Sequence, residues 1–165
     1  VPEVDVILAN IIRDHMGIDG SRIALYNQNF NKPKDDDIFI VIATENKRVV
    51  GNVFNFDSDA DEEVLSTTIY TTLNIEITSR DDSAKLRNHE ILMAINSTLS
   101  QQAQEENNIR IYRTGSILDL STIDGASALY RYQIPVIISH VEIKRTAITP
   151  VDKFQPITTE VERNG

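Results

Sequence analysis

The stretch Leu65-Ser66-Thr67-Thr68-Ile69-Tyr70-Thr71-Thr72-Leu73-Asn74-Ile75-Glu76-Ile77 decides the fold. Successive side chains of a strand point to opposite faces, so Leu65, Thr67, Ile69, Thr71, Leu73, Ile75 and Ile77 share one face. Ser66, Thr68, Tyr70, Thr72, Asn74 and Glu76 share the other. This is a long strand with one packed face, and its second face meets water or a partner. Upstream, Ile38 to Ala43 is continuously apolar and rich in branched residues, as a strand covered on both faces should be. Asn46-Lys47 reads as a turn and Arg48 to Phe56 as a return strand, so a hairpin is expected here. The almost wholly acidic segment Asp57 to Glu63 then reads as an exposed loop before the decisive strand.

Further towards the N-terminus, Val4, Leu8, Ile11, Ile12 and Met16 form a stripe at helical spacing, closed by Gly17 and Gly20. Ile23 and Leu25 alternate with Arg22 and Ala24 as a short strand, and Pro33 with Asp35-Asp36-Asp37 marks a loop. Downstream, Ser79-Arg80-Asp81-Asp82 supplies capping oxygens and carboxylates suited to a helix N-terminus. One long helix is expected from there to Asn107-Asn108, with Ala84, Ile91, Leu92, Ile95, Leu99 and Ala103 as its apolar stripe. Ile109 to Arg113 reads as a short strand. Leu118 to Gly125 reads as a loop or single helical turn, pinned by Ile117, Leu120 and Ile123. Leu129 to Ile143 reads as the last strand, with Pro135 requiring a bulge or an edge position because proline donates no ladder hydrogen bond. The expected architecture is α+β: a mainly antiparallel sheet flanked by an N-terminal helix and one long helix. Residues 1–146 are expected to form a single domain, and residues 147–165, with Pro150 and Pro156, an extended or flexible C-terminal tail.

The chain of 165 residues contains no cysteine, which excludes a disulfide framework, thiolate zinc sites and thiol nucleophiles. Its apolar runs are strand-sized, below the roughly 18 residues of a membrane helix, and no signal pattern opens the sequence, so neither a membrane nor an export address is expected. A formal charge of -9 argues against a surface that grips nucleic acid, because phosphate binding relies on clustered Lys and Arg.

No catalytic constellation emerges. His15, His89 and His140 stand apart from one another in sequence, and no glycine-rich phosphate loop or nucleophile elbow is present. Asp57-Ser58-Asp59-Ala60-Asp61 begins like a calcium loop, but Glu62 stands where the sharp-turn glycine belongs and Thr68 where the bidentate glutamate belongs. Asp35-Asp36-Asp37 is the one candidate for a metal-dependent nuclease, and it lacks a partnering lysine, histidine or distant glutamate motif. No catalytic, cofactor-binding or metal residue is therefore assigned. What remains are polar faces on long elements: Tyr70, Thr72, Asn74 and Glu76 on the strand, Asn96 and Ser100 on the helix. These six are candidates for a subunit interface, and an ordinary wet surface accounts for them equally well.

Three blocks carry a resemblance. They are Leu25-Tyr26-Asn27-Gln28-Asn29-Phe30 with Pro33, Asp36-Asp37 and Phe39-Ile40-Val41-Ile42; Ser79-Arg80-Asp81-Asp82-Ser83-Ala84 leading into Arg87, Glu90 to Ala94 and Ser97; and Asp119-Leu120-Ser121 with Asp124-Gly125-Ala126. In order and spacing these resemble the tail-terminator or neck proteins of tailed bacteriophages, from about Ile23 to Val141. The resemblance implies a structural virion protein, assembled in the host cytoplasm, that closes into a ring, expected to be a hexamer. Such a ring ends tail-tube growth and offers a head-tail joining surface. Its implied partners are copies of itself, the tail tube protein and the head connector proteins, with DNA passing the bore without specific binding. Asp57, Asp59, Asp61, Glu62 and Glu63 become candidates for a lumen-facing or tube-facing acidic loop that repels phosphate. A head-side connector, a tail-tube protein, the nuclease of Asp35 to Asp37 and a monomeric binding adaptor stand as alternatives.

Overall fold

A computed structural model describes residues 3–113 and 115–148. The chain opens with α1 (Val4–Met16), whose buried residues Val4, Leu8, Ile11, Ile12 and Met16 are the five of the expected stripe. Its end is set by Gly17, at φ 66°, whose N–H donates to the Arg13 carbonyl at 2.9 Å. A 3-10 turn over Gly20–Arg22, begun by the Asp19 side chain accepting from Ser21 N, leads into β1 (Ile23–Leu25).

The next element departs from expectation. In place of a hairpin turning at Asn46-Lys47, β2 (Phe39–Asp57) runs unbroken for 19 residues. It pairs antiparallel with β3 (Glu62–Ser79) along its whole length, and the turn falls at residues 58–61. Asn46 and Lys47 stay in register opposite Thr72 and Thr71, and the register shift between Thr44 and Asn46 leaves Glu45 as the bulged residue beside them. A second shift, between Val50 and Asn52, centres on Gly51 at φ 74°.

The expected long helix is divided into α2 (Ser83–Arg87), α3 (His89–Ile95) and α4 (Thr98–Asn107). The break between α3 and α4 has a local cause: Ser97 is extended, donates its hydroxyl to the Ala94 carbonyl and accepts from Ser100 N, so it caps a new helix. The new phase turns Ser100 fully inward and leaves Leu99 37% exposed, reversing the expected roles of the two. Ser100 Oγ accepts from Gln104 Nε2, and Gln104 Oε1 accepts from Ile111 N, which ties α4 to the next strand.

That strand is β4 (Ile109–Arg113), followed by the short β5 (Leu118–Asp119) and β6 (Thr122–Asp124) where a loop or helical turn was expected. Ile123 does not pin this segment, being 85% exposed. The last strand, β7 (Ser127–Ala147), pairs with β3 in one uninterrupted register from Glu62 opposite Ala147 to Ser79 opposite Tyr130. The sheet order is β1-β2-β3-β7-β4, with β5 and β6 also pairing to β7; β1 joins β2 in parallel and the other pairings are antiparallel. Pro135 thus lies in an interior strand without a bulge against β3, at the junction between the β4 pairing and the β5 pairing. The fold is α+β with a mixed sheet. Strand pairing extends through Ala147, and residues 149–165 of the expected 147–165 tail lie outside the described residues.

The core is formed between one face of the sheet and the helices. Ile40, Ile42, Leu73, Ile75, Ile77, Ile134, Val136 and Ile138 from the sheet meet the stripe of α1 and Ala84, Ile91, Ala94 and Ile95 of α2 and α3. Burial of this apolar surface is the main stabilising term.

Candidate functional site

The core reaches only the inner half of the sheet. In β3 the strict alternation of buried and half-buried residues runs from Thr71 to Ser79, whereas nothing from Glu62 to Tyr70 is buried. In β2 every residue from Glu45 to Phe56 is exposed. The outer parts of β2, β3 and β7 therefore project from the packed domain as a three-stranded arm, ending in the turn at residues 58–61.

The arm is polar at its tip and apolar along its length. Register through β3 places Val50, Val53, Val141 and Ile143 on the face away from the helices, and Val49, Phe54, Phe56 and Leu65 on the opposite face. Phe54 is 60% exposed and Ile143 62%. Scattered exposed apolar residues are ordinary, but a grouped set on one projecting element marks a contact surface. The sequence held the signal for it in the branched and aromatic run Val49-Val50-Gly51-Asn52-Val53-Phe54-Asn55-Phe56, which also fits an ordinary strand packed on its own domain.

The five acidic candidates do not form one patch. Asp57 Oδ1 accepts from Asp59 N and Ala60 N and so shapes the turn, while Asp57 and Glu62 share the Arg145 guanidinium at 3.4 and 3.5 Å. Asp59 and Asp61 stand exposed at the tip, and Glu63 faces the opposite side of the arm from Glu62. Ile148 N donates to the Asp61 carbonyl at 3.0 Å, which fastens the end of β7 to the turn.

The interface candidates separate by layer. Tyr70, Thr72, Asn74 and Glu76 form one half-buried row on the sheet face away from the helices. Glu76 is bound there by Arg131 Nη2 at 2.8 Å and by Gln133 Nε2 at 3.3 Å. The Tyr70 ring lies 6.0 Å from that of Tyr112, whose hydroxyl is held below its usual pKa range by a hydrogen bond with Ser139. Asn96 is exposed on the helical layer, and Ser100 is withdrawn from any surface because it is fully buried.

The remaining titratable candidates have structural partners. Arg22 grips Asp35 through both terminal nitrogens and donates to the Ile38 carbonyl, and that guanidinium holds the Asp35 carboxyl below the usual range. Asp37 Oδ1 accepts from Ile38 N, and the Asp36 carbonyl accepts from Arg80 N and Asp81 N. The acidic run is a clamp joining β1, β2 and the end of β3. His140 is buried, with Nε2 2.9 Å from Glu142 Oε1. Among the described residues no group of three or more His, Cys, Asp or Glu is placed to hold a metal ion, and no helix is long and apolar enough to cross a membrane.

A family model described as phage neck terminator protein matches residues 6–164. No curated protein sequence matches. Among solved structures, the chain is similar to a sheath/tube terminator of an extracellular contractile injection system, PVC, determined by cryo-EM in the extended state, at 14% identity and a TM-score of 0.43. That likeness covers 100% of this chain and 66% of the other, so the chain spans just under two thirds of that protein's length.

Proposed function

The chain belongs to the phage neck terminator family, and from that membership we propose that it is the structural subunit of a ring that caps the tail tube, stops its growth and offers the surface on which the head is joined. The carrying observation is the projecting arm, whose apolar residues on both faces lie outside the subunit's own core. A cyclic ring uses heterologous contacts, one patch meeting a different patch on the neighbour. The arm and the row Tyr70, Thr72, Asn74 and Glu76 supply such patches on the sheet side, and Asn96 supplies a polar position on the helical side. In this reading the protein acts by assembly and not by catalysis, within the virion, against the tail tube on one side and head connector proteins on the other. The tip carboxylates Asp59 and Asp61, with Glu63, face the passage of DNA and keep its phosphates from adhering.

Native mass spectrometry over a concentration series, alone and with cognate tail tubes, followed by electron microscopy, tests this. A discrete ring, free or seated at tube ends, is expected. Open polymers would identify a tube protein instead, and a monomer that ignores tube ends would defeat the proposal. Neutralising Asp57, Asp59, Asp61, Glu62 and Glu63 together should slow genome ejection; unchanged ejection would remove the acidic tip from it.

A further inference from the structure

Among the described residues the arm has two open edges. Outward from Glu45 the free side of β2 pairs with no strand among the described residues, since β1 reaches only Ile40 to Ile42. The free side of β7 is likewise open from Val141 to Ala147, because β4 ends its pairing at His140. An open edge is a row of unpaired N–H and C=O groups ready to accept another strand, and folded proteins usually blunt such edges with lysine, proline or a cover. Outward of Gly51 the β2 edge has no such protection: Asn52-Val53-Phe54-Asn55-Phe56 contains neither charge nor proline.

We infer that β2 of one copy pairs in parallel with β7 of the next, so that the arms of the ring join into one continuous closed sheet. This deepens the ring reading and rests on it. The occupant of each edge is a second copy for three reasons. First, β2 and β7 are both antiparallel to β3 and therefore run the same way along the arm. Rotation about a common axis brings the β7 edge of one arm beside the β2 edge of its neighbour, and repetition uses up every edge, the way a barrel removes them. Second, the side chains match in kind: Val50 and Val53 share a face with Val141 and Ile143, so the branched row on that face continues from copy to copy. Third, the charges are compatible. The β7 edge carries Glu142, Lys144 and Arg145, and the stretch Val49 to Phe56 facing it carries none, so no like charges meet. Apolar residues on both faces suit strands of a parallel pairing, which are commonly covered on both sides.

The absence of cysteine makes the test direct. Val53→Cys is combined in turn with Val141→Cys, Ile143→Cys and Arg145→Cys, three positions on one face of β7 that sample the stagger a closed sheet requires. Within one copy β3 lies between the two strands, about 9.6 Å apart at roughly 4.8 Å per strand spacing, too far for a disulfide. Mild oxidation of rings, assembled alone or on tail tubes, should give a ladder for one pairing that ends at the ring's copy number. Neither cysteine alone should give one, and mixed single variants should yield only dimers containing one of each. A Val53→Cys protein that links to itself would show two β2 edges meeting and overturn the inference. Rings visible by microscopy with no ladder for any pairing would overturn it while leaving the ring reading intact. Absence of rings, alone and on tubes, would defeat the ring reading itself.

Discussion

Replacing Gly51 with alanine separates the arm from the domain energetically. Gly51 sits at φ 74°, where an L side chain costs about 1–2 kcal/mol. A Cβ built there meets nothing within 4 Å, so the strain is confined to the backbone. Alanine also restricts the unfolded chain, which returns about 0.4–1 kcal/mol. The net loss is about 1 kcal/mol, roughly fivefold in an equilibrium constant. Gly17, at φ 66° and equally free of contacts, carries the same strain on a helix whose Leu8 and Ile12 are fully buried. Gly17→Ala should therefore lower global stability by about 1 kcal/mol in chemical denaturation. Gly51→Ala should leave the denaturation midpoint nearly unchanged and raise amide exchange about fivefold in residues 45–57 and 62–70, because the arm opens without unpacking the core. Equal global losses would refute the arm as a separately opening unit. Unchanged exchange would refute the assigned strain at the bulge.

Ser79→Ala should cost about 1–3 kcal/mol in denaturant, because the buried Ser79 hydroxyl accepts from Ala84 N at 2.9 Å and donates to the Asp81 carbonyl at 2.7 Å; a loss below about 0.5 kcal/mol would mean that the N–H finds another partner. Ile134→Ala, at a fully buried position between sheet and helices, should cost about 2–5 kcal/mol with the fold retained by circular dichroism. Asp35, whose carboxyl is held down by hydrogen bonding to Arg22, contributes stability that is present above its unfolded pKa of about 3.9 and is lost as pH falls through its lower folded value. Melting curves of Asp35→Asn should accordingly show a flatter acid limb below about pH 4 than the parent, and an identical limb would dismiss the clamp.

The elements that were legible from sequence are those in which local periodicity and burial agree. The α1 stripe and the alternation over Thr71 to Ile77 are both realised, because each has a core to face. Where reading failed, a long-range pairing or a side-chain capping choice had prevailed. Asn46-Lys47 has turn chemistry, yet both residues are held in register with β3, opposite Thr72 and Thr71, so β2 runs on and the local irregularity is confined to Glu45 beside them. Ser97 looked like one more polar helix residue until its hydroxyl took up the Ala94 carbonyl and reset the phase that buries Ser100. Pro135 argued for an edge, but β4 and β5 share the same side of β7 and leave it at their junction.

The family and the α+β class followed from the order of short blocks and from amphipathic spacing, both of which are properties of neighbouring residues along the chain. The arm did not. A strand reads the same in sequence whether its apolar residues meet a core or stand clear of one. Only the lengths of β2, β3 and β7 relative to the helices covering them decided that half the sheet would project, with its open edges and apolar faces left for other molecules.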